Sequence, residues 1–382
     1  MLIYSSAALI SIICGFIYAH HVLGCRIEIK DRVLVSADAR QYRLIFCVFL
    51  LCGLVLLAYI RQVGTIALFE ALKNNLAAAA VARSKMGNDF VGKYWRYQLF
   101  FRYLLDYCVL FFFANYLIKH RRISLFIFGG SFLVAAFSAT MAIEKGPITY
   151  LLIMLFLTYV IYKGGNYWQL ATKYAMVMII SILIGSMILT TGYRGIPFAL
   201  QLIISRVFTG QITPAYFYLY LFPLQIDYLW GASFPNPGGL LPFQNYALTM
   251  NVSNYMFPGD LAYGVVGSAP TVFWGEMYAN FGPIGIIVSA FLVGIGLFAV
   301  THILSKLPQS PTIIAATVSL AMHYMTLAAT GLSSYFFDTT LVAIAAVTFM
   351  SLLLRNKKFA IHTKNRKVYL HGKQSTHRNE FV

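Results

Sequence analysis

The sequence predicts an all-α fold that crosses a membrane about nine times, and three observations carry that prediction. Of 382 residues, 59% are hydrophobic and only 11% are charged, with a mean hydropathy of +0.72. A soluble domain needs far more polar surface than this composition supplies. The apolar residues fall into runs close to the roughly 20 residues that cross a bilayer's hydrocarbon. Finally, Lys and Arg collect between alternate runs.

Taken in order, the runs are Leu2–Leu23, Leu44–Ile60, Leu99–Ile118, Ile123–Ala142, Ile148–Tyr162, Tyr174–Thr191, Ile284–Leu304, Thr312–Ala329 and Thr340–Leu354. The first has no Lys or Arg before it and no small-residue cleavage site, so it reads as a retained span. The fifth is short. Basic residues follow the first span (Arg26, Lys30, Arg32, Arg40, Arg43) and separate the third from the fourth (Lys119, Arg121, Arg122). They also follow the fifth (Lys163, Lys173) and seventh (Lys306) and fill the tail at 355–382. With nine spans these links share one side, which the positive-inside rule makes cytoplasmic. The amino terminus is then outside and the tail inside. The net charge of +17 reads as this topology signal plus attraction to anionic lipid, not as a nucleic-acid surface. Cysteines 14, 25, 47, 52 and 108 lie in or at the ends of apolar runs, a placement that suggests no disulfide framework.

The expected organisation is a six-span bundle over 1–191, an outer loop over 192–282, three spans over 283–354 and a basic cytoplasmic tail over 355–382. Within the first part, about 62–97 forms an outer segment whose IALFEALKNNLAAAAVARSK predicts an amphipathic helix on the membrane surface. In the outer loop, QITPAYFYLYLFPLQIDYLWG is too interrupted by Pro for a span and reads as an interfacial or re-entrant helix. A Gly/Pro-rich loop follows it.

Motif absences narrow the chemistry. No phosphate-binding P-loop, dinucleotide fingerprint, H-E-x-x-H or paired-Cys zinc spacing occurs, and no D-x-D pair suggests a metal-held nucleotide sugar. Ionisable residues in or beside spans are therefore the candidates. Arg102 and Asp106, four apart in FFRYLLDYC, predict either an intrahelical ion pair or a positioned Arg. Glu144 and Lys145 lie in an outer turn before Pro147, which opens the fifth helix. Arg194 in TGYRGIPF and Arg206 in ISRVFTG suit either bidentate phosphate recognition or headgroup anchoring. Asp260 reads as a turn or cap residue and Asp338 as the cap of the last helix. His323, inside the eighth span, is either bonded to a neighbouring carbonyl or a base.

The stretch FWGEMYANFGPIG, Phe273–Gly285, opens the seventh span. Pro283 disfavours helix at Gly282, so Thr271–Phe281 is predicted to be a short helix followed by a break. On it Glu276 and Asn280 form a polar edge, while Trp274 and Tyr278 form an aromatic edge suited to the membrane interface. A carboxylate there is either a solvated surface group or, in a partly dry aromatic-lined site, a base.

These residues carry a resemblance. GSAPTVFWGEMYANFGPIGIIVSAFLVGIG (Gly267–Gly296), EKGPITYLLIML (Glu144–Leu155) and GYRGIPF (Gly192–Phe198) resemble the oligosaccharide repeat-unit polymerases, the Wzy-type O-antigen and capsule polymerases of bacterial envelopes. The large outer loop before a late span and the basic inner tail fit as well. Some relatives carry Arg-x(10)-Gly in outer loops. Here positions 205 and 217 are Ser and Phe, so that motif is not carried over. The resemblance implies a metal-independent, GT-C-like glycosyltransferase with no cofactor, in the bacterial cytoplasmic membrane. It would act at the outer leaflet on undecaprenyl-diphosphate-linked repeat units, with a flippase and a chain-length regulator as partners. In that reading Arg194, Arg206 and Lys145 bind the diphosphate, Glu276 or else His323 is the base, and Tyr278 and Asn280 position sugar hydroxyls. The rivals are an O-antigen ligase and, from another class, a lipid-linked oligosaccharide flippase or transporter.

Overall fold

The computed structural model describes residues 1–22, 34–73, 75–87, 89–164, 212–236, 239, 242–259 and 267–355. The sixth expected span, Arg194, Arg206, Asp260 and nearly all of the basic tail lie outside them. The described residues are helical, with no β-strand beyond one isolated backbone bridge between Leu34 and Gln309.

Chain order gives α1 (Leu2–Val22), α2 (Ala39–Val63), α3 (Ala67–Leu72), α4 (Leu76–Met86) and α5 (Tyr94–Gln98). A π-helical turn at Leu99–Leu104 runs straight into α6 (Leu105–Lys119), followed by α7 (Arg122–Thr140) and α8 (Lys145–Lys163). After the undescribed stretch come α9 (Ile212–Leu221), α10 (Leu248–Met256), α11 (Phe273–Lys306), α12 (Pro311–Met325), α13 (Leu332–Phe336) and α14 (Thr339–Leu353). Eight helices among the described residues are long and apolar enough to cross a membrane. They match expected spans one to five and seven to nine. Large apolar side chains remain exposed on α1, α2, α7, α11 and α14, Leu54, Leu57, Phe126 and Ile284 among them. Such a surface suits hydrocarbon and not water.

Helix α6 is central. Tyr107 through Phe112 are all almost completely buried, which requires neighbours on every side of the helix. It packs with α7, α8 and α12, and α2 and α14 complete that core. A second core forms where α1 lies along α11, with α9, α10 and α13 gathered near the amino-terminal end of α11. The contact between α1 and α11 is a backbone approach. A Cβ built on Gly15 would sit 2.1 Å from the Phe291 carbonyl oxygen, and one on Gly294 would sit 2.1 Å from that of Ile12. Between apolar helices in lipid, close packing of this kind supplies attraction that water-driven burial does not.

Caps fix several ends. Asp38 and Gln41 form a capping box on α2, Ser310 precedes Pro311 at the start of α12, and the Asp338 carboxylate accepts from Thr340 N at 2.8 Å. The last of these is the cap expected from sequence. Asn75 interrupts the helix expected over IALFEALKNNLAAAAVARSK, Ile66–Lys85. Its side chain accepts from Ala78 N at 3.1 Å and starts α4 afresh, so the region holds two short helices. Part of their apolar surface packs on the bundle, with Ala67, Ala82 and Met86 in one core with Tyr59 and Phe101, while Phe69, Leu72 and Val81 stay exposed. The described part of α9 ends at Leu221, just before Pro223.

The two ends of the bundle differ. At one end Lys119 Nζ donates to the Ala37 carbonyl at 3.1 Å, Gln41 Nε2 donates to that of Ser351 at 3.0 Å, and Leu34 meets Gln309. The basic residues Arg40, Arg43, Lys119, Arg121, Arg122 and Lys306 belong to these same segments. Alternation of the chain puts the starts of α8, α11 and α14 at the other end.

Replacing Gly294 by Leu is expected to destabilise the protein by at least about 1–3 kcal/mol, the usual range for overpacking. The thermal midpoint of detergent-solubilised protein should fall accordingly. Gly130→Leu, at a position where a Cβ meets nothing within 4 Å, should leave the midpoint unchanged.

Candidate functional site

The site begins with a break in α11. Gly282 leaves helical geometry (φ 65°, ψ −155°), a conformation that suits glycine, and Pro283 has no N–H to continue the ladder. The carbonyls of Ala279 and Asn280 are thereby released. They accept instead from Leu229 N at 3.0 Å and Trp230 N at 3.1 Å, which stitches the 228–234 loop onto the helix. The break expected at this point is present, with the first helical piece starting at Phe273.

Asn280, fully buried, uses every group of its amide. Its Oδ1 accepts from Gly231 N at 2.9 Å. Its Nδ2 donates to Ser233 Oγ at 2.7 Å and to the Glu276 carbonyl at 2.8 Å. Ser233 Oγ in turn donates to Glu276 Oε1 at 3.3 Å. Asn280 thus acts on Glu276 through Ser233.

Glu276 is only 6% exposed, so the solvated-surface alternative does not hold. Besides Ser233, its carboxylate accepts from Ser333 N at 2.9 Å through Oε2 and from Ser333 Oγ through Oε1. The reason lies in α13. Its cap position is Gly331, which brings no capping side chain, and the first N–H groups of any helix need an acceptor. Glu276 fills that role from another part of the chain. A Cβ on Gly331 would lie 2.5 Å from Glu276 Oε2, so the glycine is what admits the carboxylate.

Beside this carboxylate is a cavity of about 160 Å³ whose lining includes Tyr218, Tyr246, Ser233, Thr249, Thr271 and Ser334. Tyr218 OH donates to the Ala269 carbonyl at 3.2 Å. Burial, helped by the nearby Glu276, pushes its phenol well above the ordinary range and keeps it a donor.

The other expected site residues are placed differently. Tyr278 and Trp274 are buried, with Tyr278 packed against Tyr4 and Tyr228. The aromatic edge is therefore core, not interface, because the 228–234 loop and α1 cover it. His323 stacks on Tyr335 with ring centroids 4.3 Å apart. Its Nε2 lies 3.1 Å from the Tyr335 carbonyl and its Nδ1 3.5 Å from Asp338 Oδ2. The imidazole does not line the Glu276 cavity, but it grips the same short helix α13 from the opposite side. Lys145 opens α8. The Arg102–Asp106 pair is corrected: Arg102 instead pairs with Glu144 at 3.4 Å. Its helix is π-wound over Leu99–Leu104, so spacing rules for an α-turn fail there.

Ser233, Ser333, Gly331 and the hydroxyls of the cavity were not singled out by sequence. Ser333 is 57 residues from Glu276 and Ser233 is 43 away, and no short motif signals such contacts. Comparison with protein-family models, with curated proteins and with solved structures finds no match to this chain.

Ser333→Ala removes one hydroxyl donor from a buried carboxylate, and its expected cost is about 1–2 kcal/mol. Combined with Glu276→Gln, the loss in thermal unfolding should be smaller than the sum of the singles, because both changes weaken one shared interaction. Additivity would separate Ser333 from the carboxylate.

Proposed function

We propose that this chain polymerises lipid-diphosphate-linked oligosaccharide repeat units at the outer leaflet of the bacterial cytoplasmic membrane. It would do so as a metal-independent glycosyltransferase of GT-C-like architecture, for O-antigen or capsule synthesis. The observation that carries the reading is the Glu276 carboxylate, buried yet bordering a hydroxyl-rich cavity. A carboxylate offers about four acceptor directions. Among the described residues three are used, by Ser233 and Ser333, and the fourth is assigned to a hydroxyl entering the cavity.

In the proposed step, the acceptor hydroxyl oxygen attacks the anomeric carbon of the donor glycan. Its proton passes to Glu276 as the new C–O bond forms. The bond from the anomeric carbon to the lipid diphosphate breaks, and the diphosphate departs with the electron pair. Cations relieve the charge on that leaving group. Arg194, Arg206 and Lys145 are assigned this role, and the start of α8 at Lys145 adds the positive end of a helix. Asn280 serves by fixing Ser233, and His323 by fixing α13. The long apolar helices and the all-helical build also support a membrane-embedded transferase.

In a strain deleted for this chain, Glu276→Gln, Arg194→Ala and Arg206→Ala are each expected to abolish long polymer while protein level stays normal. Gel profiles of surface glycan provide the measurement, with single repeat units on lipid A–core as the expected residue. Undiminished polymer from Glu276→Gln would refute the assignment. Loss of all core-linked units would identify a ligase, and accumulation of lipid-linked units on the inner leaflet a flippase.

A further inference from the structure

Residues 61–97 run against the charge rule that orders the rest of the chain. They carry six Lys and Arg against two acidic residues. They follow α2 at the end of the bundle where α11 starts, the side on which the positive-inside rule calls for few cations. Topology does not account for them. Arg61, Arg83, Lys85, Lys93 and Arg96 are all exposed, while Lys73 pairs with Glu70 at 3.0 Å. The segment that bears them is fastened to the bundle. Leu68 N donates to the Met141 carbonyl at 3.1 Å, just past α7. Tyr97 OH donates to Gln62 Oε1 at 2.9 Å, and Gln62 Nε2 donates to the Val91 carbonyl at 2.9 Å. Tyr59 and Phe101 gather Ala67, Met86 and Tyr94 from three short helices into one cluster. The exposed face of the segment thus has a fixed place at this end.

What this face carries besides charge decides its partner. Leu72, Val81, Val91 and Trp95 are exposed by 49% to 86%. Each lies within two residues of a basic one, namely Lys73, Arg83, Lys93 and Arg96. The Arg96 guanidinium sits over the Trp95 ring, 5.5 Å from its centre. Large apolar groups standing beside cations suit the boundary where acyl chains meet phosphates. There the apolar groups enter hydrocarbon and the cations reach the headgroups. A soluble anion would satisfy the charges and leave the apolar groups in water. The face also continues a lipid-facing one. Leu50, Leu54 and Leu57 are exposed on α2, and exposed Arg61 falls on the same helix face one turn further on.

We propose that residues 61–97 form a docking surface for the headgroups of anionic phospholipids, at the end of the bundle that carries Glu276. Arg83, Lys85, Lys93 and Arg96 hold the phosphates, and Val81, Val91 and Trp95 enter the acyl region beneath them. The surface stands independently of the glycan reading above.

Trp95 is a built-in reporter for the test. The full chain is placed in phosphatidylcholine nanodiscs that contain equal fractions of either brominated phosphatidylglycerol or brominated phosphatidylcholine. Tryptophan quenching is read, and subtracting the signal of Trp95→Phe isolates Trp95 from the other tryptophans. Brominated phosphatidylglycerol is expected to quench Trp95 at least about twofold more strongly, since each basic residue beside an anionic surface contributes roughly fivefold. The excess should vanish when Arg83→Gln, Lys85→Gln and Lys93→Gln are combined. Arg96 stays in place because it covers the reporter ring. The excess should also fade toward about 1 M salt, where the screening length is about 3 Å, a measurement that needs no substitution. Equal quenching by the two lipids overturns the proposal, as does an excess that survives the triple variant or the salt. Quenching by neither lipid would place the segment in water and overturn it as well.

Discussion

One buried carboxylate holds the candidate site together. Glu276 accepts from Ser233 in a loop and from both the backbone and the hydroxyl of Ser333 in a short helix. Each hydrogen bond to a charged group contributes about 1.5–3 kcal/mol, and the three join segments far apart in sequence. Without an acceptor, the start of α13 would be left with unsatisfied N–H groups, because Gly331 has nothing to offer them. The same bonds define one wall of the cavity. Stability and candidate chemistry are thus vested in a single side chain, and any account of its mutants has to separate the two.

The scaffold behind this site is divided. One core is built on α6, whose uninterrupted buried stretch makes it the axis for α2, α7, α8, α12 and α14. The other is built on the close passage of α1 and α11. Helix α13 lies near the seam. Ser333 faces Glu276 on α11, while Tyr335 takes the ring of His323 on α12. Five residues therefore connect a group from each part, and Asp338, which caps α14, closes the arrangement by approaching His323.

Much of the scaffold was legible in the sequence because bilayer thickness dictates run length, and eight expected spans recur at nearly their expected bounds. The Gly282–Pro283 break was legible for an equally local reason: proline lacks a donor. Long-range packing was not. Trp274 and Tyr278 carry the chemistry of interface residues, yet neighbouring segments bury them. Arg102 lies at helical spacing from Asp106, yet its π-wound turn offers it to Glu144. Glu276 stood out as a carboxylate at the mouth of a span, whereas the serines that define its state came from loops with no distinguishing pattern. Sequence identified the unusual group, and only the fold supplied its partners.

The interruption at Gly282 has a mechanical consequence. At 1.5 Å per residue, the piece after it, Pro283–Lys306, is roughly 36 Å long, enough to cross a bilayer with some tilt. The piece before it, bearing Glu276, is tied by its own carbonyls to the 228–234 loop. A helix adapts to a thinner or thicker bilayer by changing its inclination. Here the helical ladder is interrupted at Gly282, so the segment bearing Glu276 takes its orientation from its own bonds to the 228–234 loop and not from unbroken hydrogen bonding with the rod below it.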